Sequence, residues 1–284
     1  MEIALDASRS EAVAEVAASS DASPGERVEL FGISIDAVRI DEAVDQLTRW
    51  CSAGDGGHCR YVVTPNVNHI VQLQRNAALR EAYADASLVV ADGWPIVAAS
   101  RRLGQSLPER VAGSDLAPAM FDRGLSDRPL KVFLLGGGAG VPQSAAENVS
   151  RQWPGVEIVG ALSPSFSFTA DRGEQDEAIA MINDAEPHLL VVGLGAPKQE
   201  IWLQANHRRL KARVAIAGGA TIDFLAGEQT RAPRWVQRAR LEWVFRIATN
   251  PRRLAGRYLH DGLRFPWIVA REAIKTHATC ARVI

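Results

Sequence analysis

The chain has 284 residues, is 47 % hydrophobic and 23 % charged, and carries a formal net charge of −1. That balance lies near the soluble globular average and excludes a collagen-like chain, a disordered acidic chain and a small disulfide scaffold. Three scattered cysteines (Cys51, Cys59 and Cys280) form no CxxC pair, which fits a reducing cytoplasm, and no apolar run reaches the ~18–20 residues that span a bilayer.

Residues 1–27 are rich in Ala, Ser and Asp/Glu and lack a basic start. They read as a disordered leader, not a secretory signal. Short β-branched runs follow at 28–33, 60–64, 88–91, 130–135, 157–161, 189–192 and 214–217. Helical patterns lie between most of them, at 41–51, 67–75, 95–103, 141–153, 171–185 and 198–210. Strands alternating with helices, and strands that are nearly continuous apolar runs, predict an α/β, Rossmann-like fold. Its sheet is mainly parallel, with helices on both faces. Residues 28–230 are read as this domain.

Residues 231–284 differ in charge. They hold twelve Arg/Lys and three Asp/Glu, a net of +9, against −10 for the rest of the chain. Trp235, Trp243, Phe245, Tyr258, Phe265 and Trp267 are interleaved with the basic residues. The segment reads as a basic amphipathic helical appendage that meets something anionic: nucleic acid, a phospholipid surface or a phosphorylated substrate. A solvated pair of basic helices is the plainer alternative.

Ligands of a parallel sheet bind outside the carboxyl ends of its strands. Five of these ends carry Gly-rich or small polar loops. They are Thr64-Pro65-Asn66, Asp92-Gly93-Trp94, the glycines from Gly136 to Gly138, Gly193-Leu194-Gly195 running into Lys198-Gln199, and Gly218-Gly219 running to Asp223. Several open a helix, where backbone N–H groups suit phosphate oxygens. Together they favour an anionic ligand, most naturally a nucleotide.

Other chemistries lack their signatures. The triple glycine is followed by Val141, not a small residue, and the next strand ends without an acidic residue for a ribose. No P-loop, no Asp-x-Asp and no G-x-S-x-G occurs, and the six histidines show no ligand spacing. No metal and no cofactor are expected. Asp92 is either a cap for the helix after it or a general base at a strand end. Arg110 either pairs with Glu109 or Asp115 or serves a ligand. Lys198 and Gln199 stand where a helix start would cradle an anion, though such a lysine is more often simply solvated.

The motifs resemble one family. Asp92-Gly93 is followed by Leu107-Pro108-Glu109-Arg110-Val111-x-Gly113-x-Asp115-Leu116, then Gly195-x-Pro197-Lys198-Gln199-Glu200-x-Trp202. Further on come Gly218-Gly219-x-x-x-Asp223-Phe224, Arg231-Ala232-Pro233-x-Trp235, Leu241-Glu242-Trp243-x-x-Arg246 and Pro251-Arg252-Arg253. The set, in order over about residues 28–268, is similar to the WecG/TagA/CpsF family, glycosyltransferase family 26. The resemblance implies metal-free, inverting transfer of a sugar from a UDP donor to a polyprenyl-diphosphate-linked saccharide during cell-surface polysaccharide synthesis. N-acetylmannosamine, its uronic acid and glucose are the family's donor sugars.

The resemblance also implies roles. Asp92 would be the general base, with Thr64 and Asn66 lining the acceptor-sugar pocket. Arg110 and Gln199 would lie at the active site, and Asp223 would contact the uracil. Arg246 and Arg253 would close over the diphosphate and touch the membrane. Gly136, Gly195 and Lys198 would complete the substrate-binding set. The partners implied are the UDP-sugar, the lipid-linked acceptor and an anionic membrane on the cytoplasmic side, with no nucleic acid; a homo-oligomer is compatible with the sequence. The competing reading from another class is a non-catalytic nucleotide-sugar-binding scaffold of a polysaccharide assembly complex.

Overall fold

A computed structural model describes residues 26–53, 57–230, 232–233, 235–236, 241–249 and 251–280. Of the expected leader, residues 1–27, residues 1–25 lie outside the described residues, and Arg27 already belongs to a strand.

The first apolar run is not one strand. It folds into an antiparallel hairpin of β1 (Arg27–Leu30) and β2 (Ile33–Asp36), apart from the main sheet. The reason is the turn: Phe31 and Gly32 both hold positive φ, 60° and 83°, the signature of a two-residue hairpin loop. Asp36 then fastens the hairpin to the sheet. It accepts from Arg27 Nε at 3.0 Å and from the Val89 backbone N–H at 2.8 Å.

The main sheet is wholly parallel, as the alternating pattern predicted. Its strands are β3 (Arg60–Val63), β4 (Leu88–Val89), β5 (Leu130–Gly136), β6 (Val156–Leu162), β7 (Leu189–Gly193) and β8 (Val214–Ala217), in the order β4-β3-β8-β7-β5-β6. Successive residues point to opposite faces. Tyr61, Val63, Leu190 and Val192 pack with α2 (Val67–Leu73), α3 (Ala77–Ala84), α4 (Trp94–Arg102), α7 (Arg172–Ala185) and α8 (Lys198–Asn206). Val62, Leu189, Val191 and Ile216 pack with α1 (Ile40–Ser52), α5 (Gly113–Arg123), α6 (Val141–Gln152) and the short α9 (Thr221–Ala226). Cys51 and Cys59 lie buried in these two layers as free thiols, and burial pushes the Cys51 thiol up to about 12.

After β8 the chain forms α10 (Glu242–Thr249) and α11 (Pro251–Cys280). The helical reading of 231–284 therefore holds where it is described, but α11 is not detached. Phe265 and Ile268 are buried in the first layer, and Phe265 meets Phe31 at a ring distance of 5.7 Å. Asn68 Nδ2 donates to the buried Asp261 at 2.9 Å, and Arg271 donates to Gln74. Burying Phe265 and Ile268 contributes about 1.5–3 kcal/mol each. The opposite side of the helix exposes Leu259, Leu263, Trp267 and Ile274. Among the described residues no helix is long and apolar enough to cross a membrane.

Candidate active site

The carboxyl edge of the sheet opens into a cleft of about 1350 Å³, walled on its far side by α10 and α11. That exceeds the ~300–1,000 Å³ usual for one small ligand and leaves room for two reactants. Thr64, Asn66, Asp92, Arg110, Gly136, Gly195, Lys198, Gln199, Asp223 and Arg246 all line it. Arg253 lies on α11, with its side chain outside the described residues.

The loops after β3 and β4 build one wall. Thr64 is buried beneath Gly113, where an added Cβ would sit 3.3 Å from its Oγ1. Asn66 caps α2, its Oδ1 accepting from the His69 N–H at 3.3 Å while His69 Nδ1 accepts from the Asn66 N–H at 3.1 Å. Asp92 is held through its backbone N–H, which donates to Pro65 O at 2.8 Å. It does not cap the following helix: the cap of α4 is Gly93, which makes no side-chain bond. The Asp92 carboxylate is thus left facing the cleft, with its side chain 26 % exposed.

Arg110 stands beside it. The guanidinium lies 3.7 Å from Asp92, 2.6 Å from Asp115 and 3.1 Å from Glu242. Arg110 thus pairs with Asp115, the structural one of its two readings, and it also lines the cleft. Glu109 turns elsewhere and accepts from the Ile40 N–H at 2.6 Å. Burial pushes the Asp92 carboxyl above its ordinary value; Arg110 and Arg246 pull it partly back, Glu242 pushes it up again and His69 lowers it.

The opposite wall is backbone. Gly136, at φ +133°, approaches Gly193 so closely that a Cβ there would lie 2.4 Å from the Gly193 carbonyl oxygen. Helices α2, α4, α5, α8 and α9 all begin at this edge, so their positive ends converge on the cleft. Gln199 is buried at the start of α8. Its Nε2 donates to Glu200 Oε1 at 2.8 Å, and its Oε1 accepts from the Gly219 N–H at 3.1 Å. The amide therefore braces the β7 and β8 loops against each other. Lys198 is exposed at the mouth, 4.7 Å above the Phe166 ring. Asp223 accepts from Gln229 Nε2 at 2.8 Å.

Arg246 reaches in from α10. It sits 5.6 Å from the Phe224 ring and 3.1 Å from Glu242. Burial works against its charge, but Glu242 and Asp92 more than offset this, and its pKa is raised. Glu242 touches both Arg110 and Arg246, and so joins the two guanidiniums across the cleft. Sequence reasoning assigned Glu242 no role. The available signal was its isolation, as one acid among eight basic residues in 231–260. It also passed over His69 and Glu200, which stand 3.5 Å apart in the buried floor. Among the described residues no three His, Cys, Asp or Glu side chains gather as a cation site.

Comparison with known proteins identifies the family. The profile described as the glycosyl transferase WecG/TagA/CpsF family matches residues 28–279. The chain is 30 % identical over 193 residues to an N-acetylglucosaminyldiphosphoundecaprenol N-acetyl-beta-D-mannosaminyltransferase of Bacillus spizizenii, covering 68 % of this chain and 72 % of that one. It is 26 % identical over 232 residues to a Staphylococcus aureus protein of the same name, covering 80 % and 87 %. Because the profile spans nearly all of the fold, from the hairpin to α11, the chain belongs to the WecG/TagA/CpsF family of glycosyltransferases.

Proposed function

We propose that the chain transfers N-acetylmannosamine from a UDP donor to a polyprenyl-diphosphate-linked N-acetylglucosamine, with inversion and without a metal, at the cytoplasmic face of the membrane. The sugar and acceptor follow the names of the relatives. The observation that carries the chemistry is the pairing of Asp92 with Arg110 on the floor of a cleft large enough for two reactants.

Inversion is a single displacement. The acceptor hydroxyl oxygen attacks the anomeric carbon, its proton passes to Asp92, and the bond from that carbon to the diphosphate oxygen breaks with its electron pair leaving on UDP. A carboxylate raised by burial holds a proton better than an ordinary one, which suits a general base. The departing charge meets Arg110, Arg246, Lys198 and the convergent helix starts. Thr64 and Asn66 line the acceptor side, and Asp223 and Gln229 lie on the side assigned to the base of the nucleotide. The exposed apolar side of α11 brings the cleft to the lipid carrying the acceptor.

The test is a panel of UDP-sugars assayed with undecaprenyl-diphosphate-linked N-acetylglucosamine. UDP-N-acetylmannosamine should give UDP and a β-linked disaccharide-lipid. UDP-sugar binding without transfer from any donor would point instead to a scaffold.

A further inference from the structure

We propose that Glu242 is an internal competitor for the donor's diphosphate, holding Arg110 and Arg246 through the contacts that the diphosphate must take over. The inference rests on the UDP-donor reading above. The geometry is specific. One carboxylate oxygen of Glu242 meets Arg110 Nη1 at 3.1 Å, and the other meets Arg246 Nη2 at 3.1 Å. A single anionic group thus bridges the two guanidiniums as a phosphate with two terminal oxygens would.

Arg110 and Glu242 are sheltered, at 14 % and 18 % exposed, while Arg246, at 37 %, is open on its solvent side. The Arg110–Glu242 contact is therefore screened by solvent less than a surface pair. The local charge around the two guanidiniums favours exchange. Asp92, Asp115 and Glu242 share Arg110 and Arg246, so three carboxylates face two guanidiniums. A diphosphate added to that set meets an excess of negative charge unless one carboxylate withdraws. Asp92 is tied by its backbone to Pro65, and Asp115 sits in the first turn of α5 on the core. Glu242 alone of the three comes from α10, outside the sheet and its two layers. It is the group that can leave without disturbing the base. Its return would then help expel UDP once the sugar has moved.

The test compares UDP binding to the wild-type chain and to Glu242→Gln and Glu242→Asp by titration calorimetry. Glu228→Gln serves as a control for loss of an acid elsewhere in the cleft lining. Competition predicts that Glu242→Gln binds UDP about tenfold more tightly, that Glu242→Asp stays within about threefold of wild type, and that Glu228→Gln gains clearly less than Glu242→Gln. Unchanged or weaker binding in Glu242→Gln overturns the proposal and means that Glu242 only anchors α10. An equal gain in Glu228→Gln also overturns it, since any acid would then serve. Absence of UDP binding in every protein, wild type included, overturns the donor reading and the competitor role with it.

Discussion

Arg110 contacts Asp92 from the side, at 3.7 Å, while its shortest bond, 2.6 Å, goes to Asp115. The guanidinium is therefore positioned by the core and lends Asp92 charge without capping it. A general base, the role proposed for Asp92, must be ionised yet retain proton affinity, and this arrangement is compatible with both.

Asp92→Asn should lower turnover by roughly 10²–10⁴ while UDP still binds. The same substitution should raise thermal stability at neutral pH. A carboxyl whose pKa is raised on folding takes up protons in the folded state, so stability falls as pH climbs from the ordinary carboxyl value through the raised one. Asn removes that cost. Turnover assays and melting curves at pH 7 check both halves. Near-normal turnover in a folded variant would remove Asp92 from the chemistry.

His188 gives a pH dependence of the opposite sign. Its Nδ1 accepts from the Lys131 N–H at 3.0 Å, and burial, aided by Arg213, Arg128 and Lys131, lowers its pKa from 6.5 to about 4. The unfolded chain takes up the proton first. Its share of stability is complete above about pH 6.5 and is lost as pH falls toward 4. His188→Asn, which keeps an acceptor, should flatten the melting-temperature profile across that window. An unchanged profile would contradict this.

The exposed side of α11 should act at lipid. Leu263 is 72 % exposed and Trp267 64 %, so Leu263→Ser with Trp267→Ser should change the melting temperature by no more than about 2 °C. Sedimentation with anionic vesicles should fall several-fold. Full vesicle binding by the double variant would assign lipid contact to another surface.

Chelation should leave transfer largely intact if, as proposed, Arg110, Arg246 and Lys198 meet the charge on the leaving diphosphate. Turnover measured with and without EDTA tests this. Loss that is restored by magnesium or manganese would require a carboxylate set that forms only with substrate.

The sheet was legible because its central strands are apolar on both faces, and short continuously buried runs with helices between them leave little alternative. The hairpin was not, since Phe31 carries no turn signature and only Gly32 hints at a reversal. Helix α5 was missed because Pro118 lies inside it, where proline normally ends a helix. Helix α8 stops at Asn206, short of the expected Leu210. In the site, strand-end loops located Asp92 and Gln199 from sequence alone. Glu242 was not legible, because its role depends on a fold-back that places it against Arg110, 132 positions earlier.

The hydrogen bond from Asn68 to Asp261 joins positions 193 apart, and Phe265 rests on the turn of the first hairpin. A nascent chain lacks those partners until residues 261–265 have been made. The cleft therefore acquires its far wall, and the Arg246 carried on it, only after the whole sheet. A ribosome-bound fragment holding the sheet alone would already present Asp92, but without Arg246 across the cleft from it.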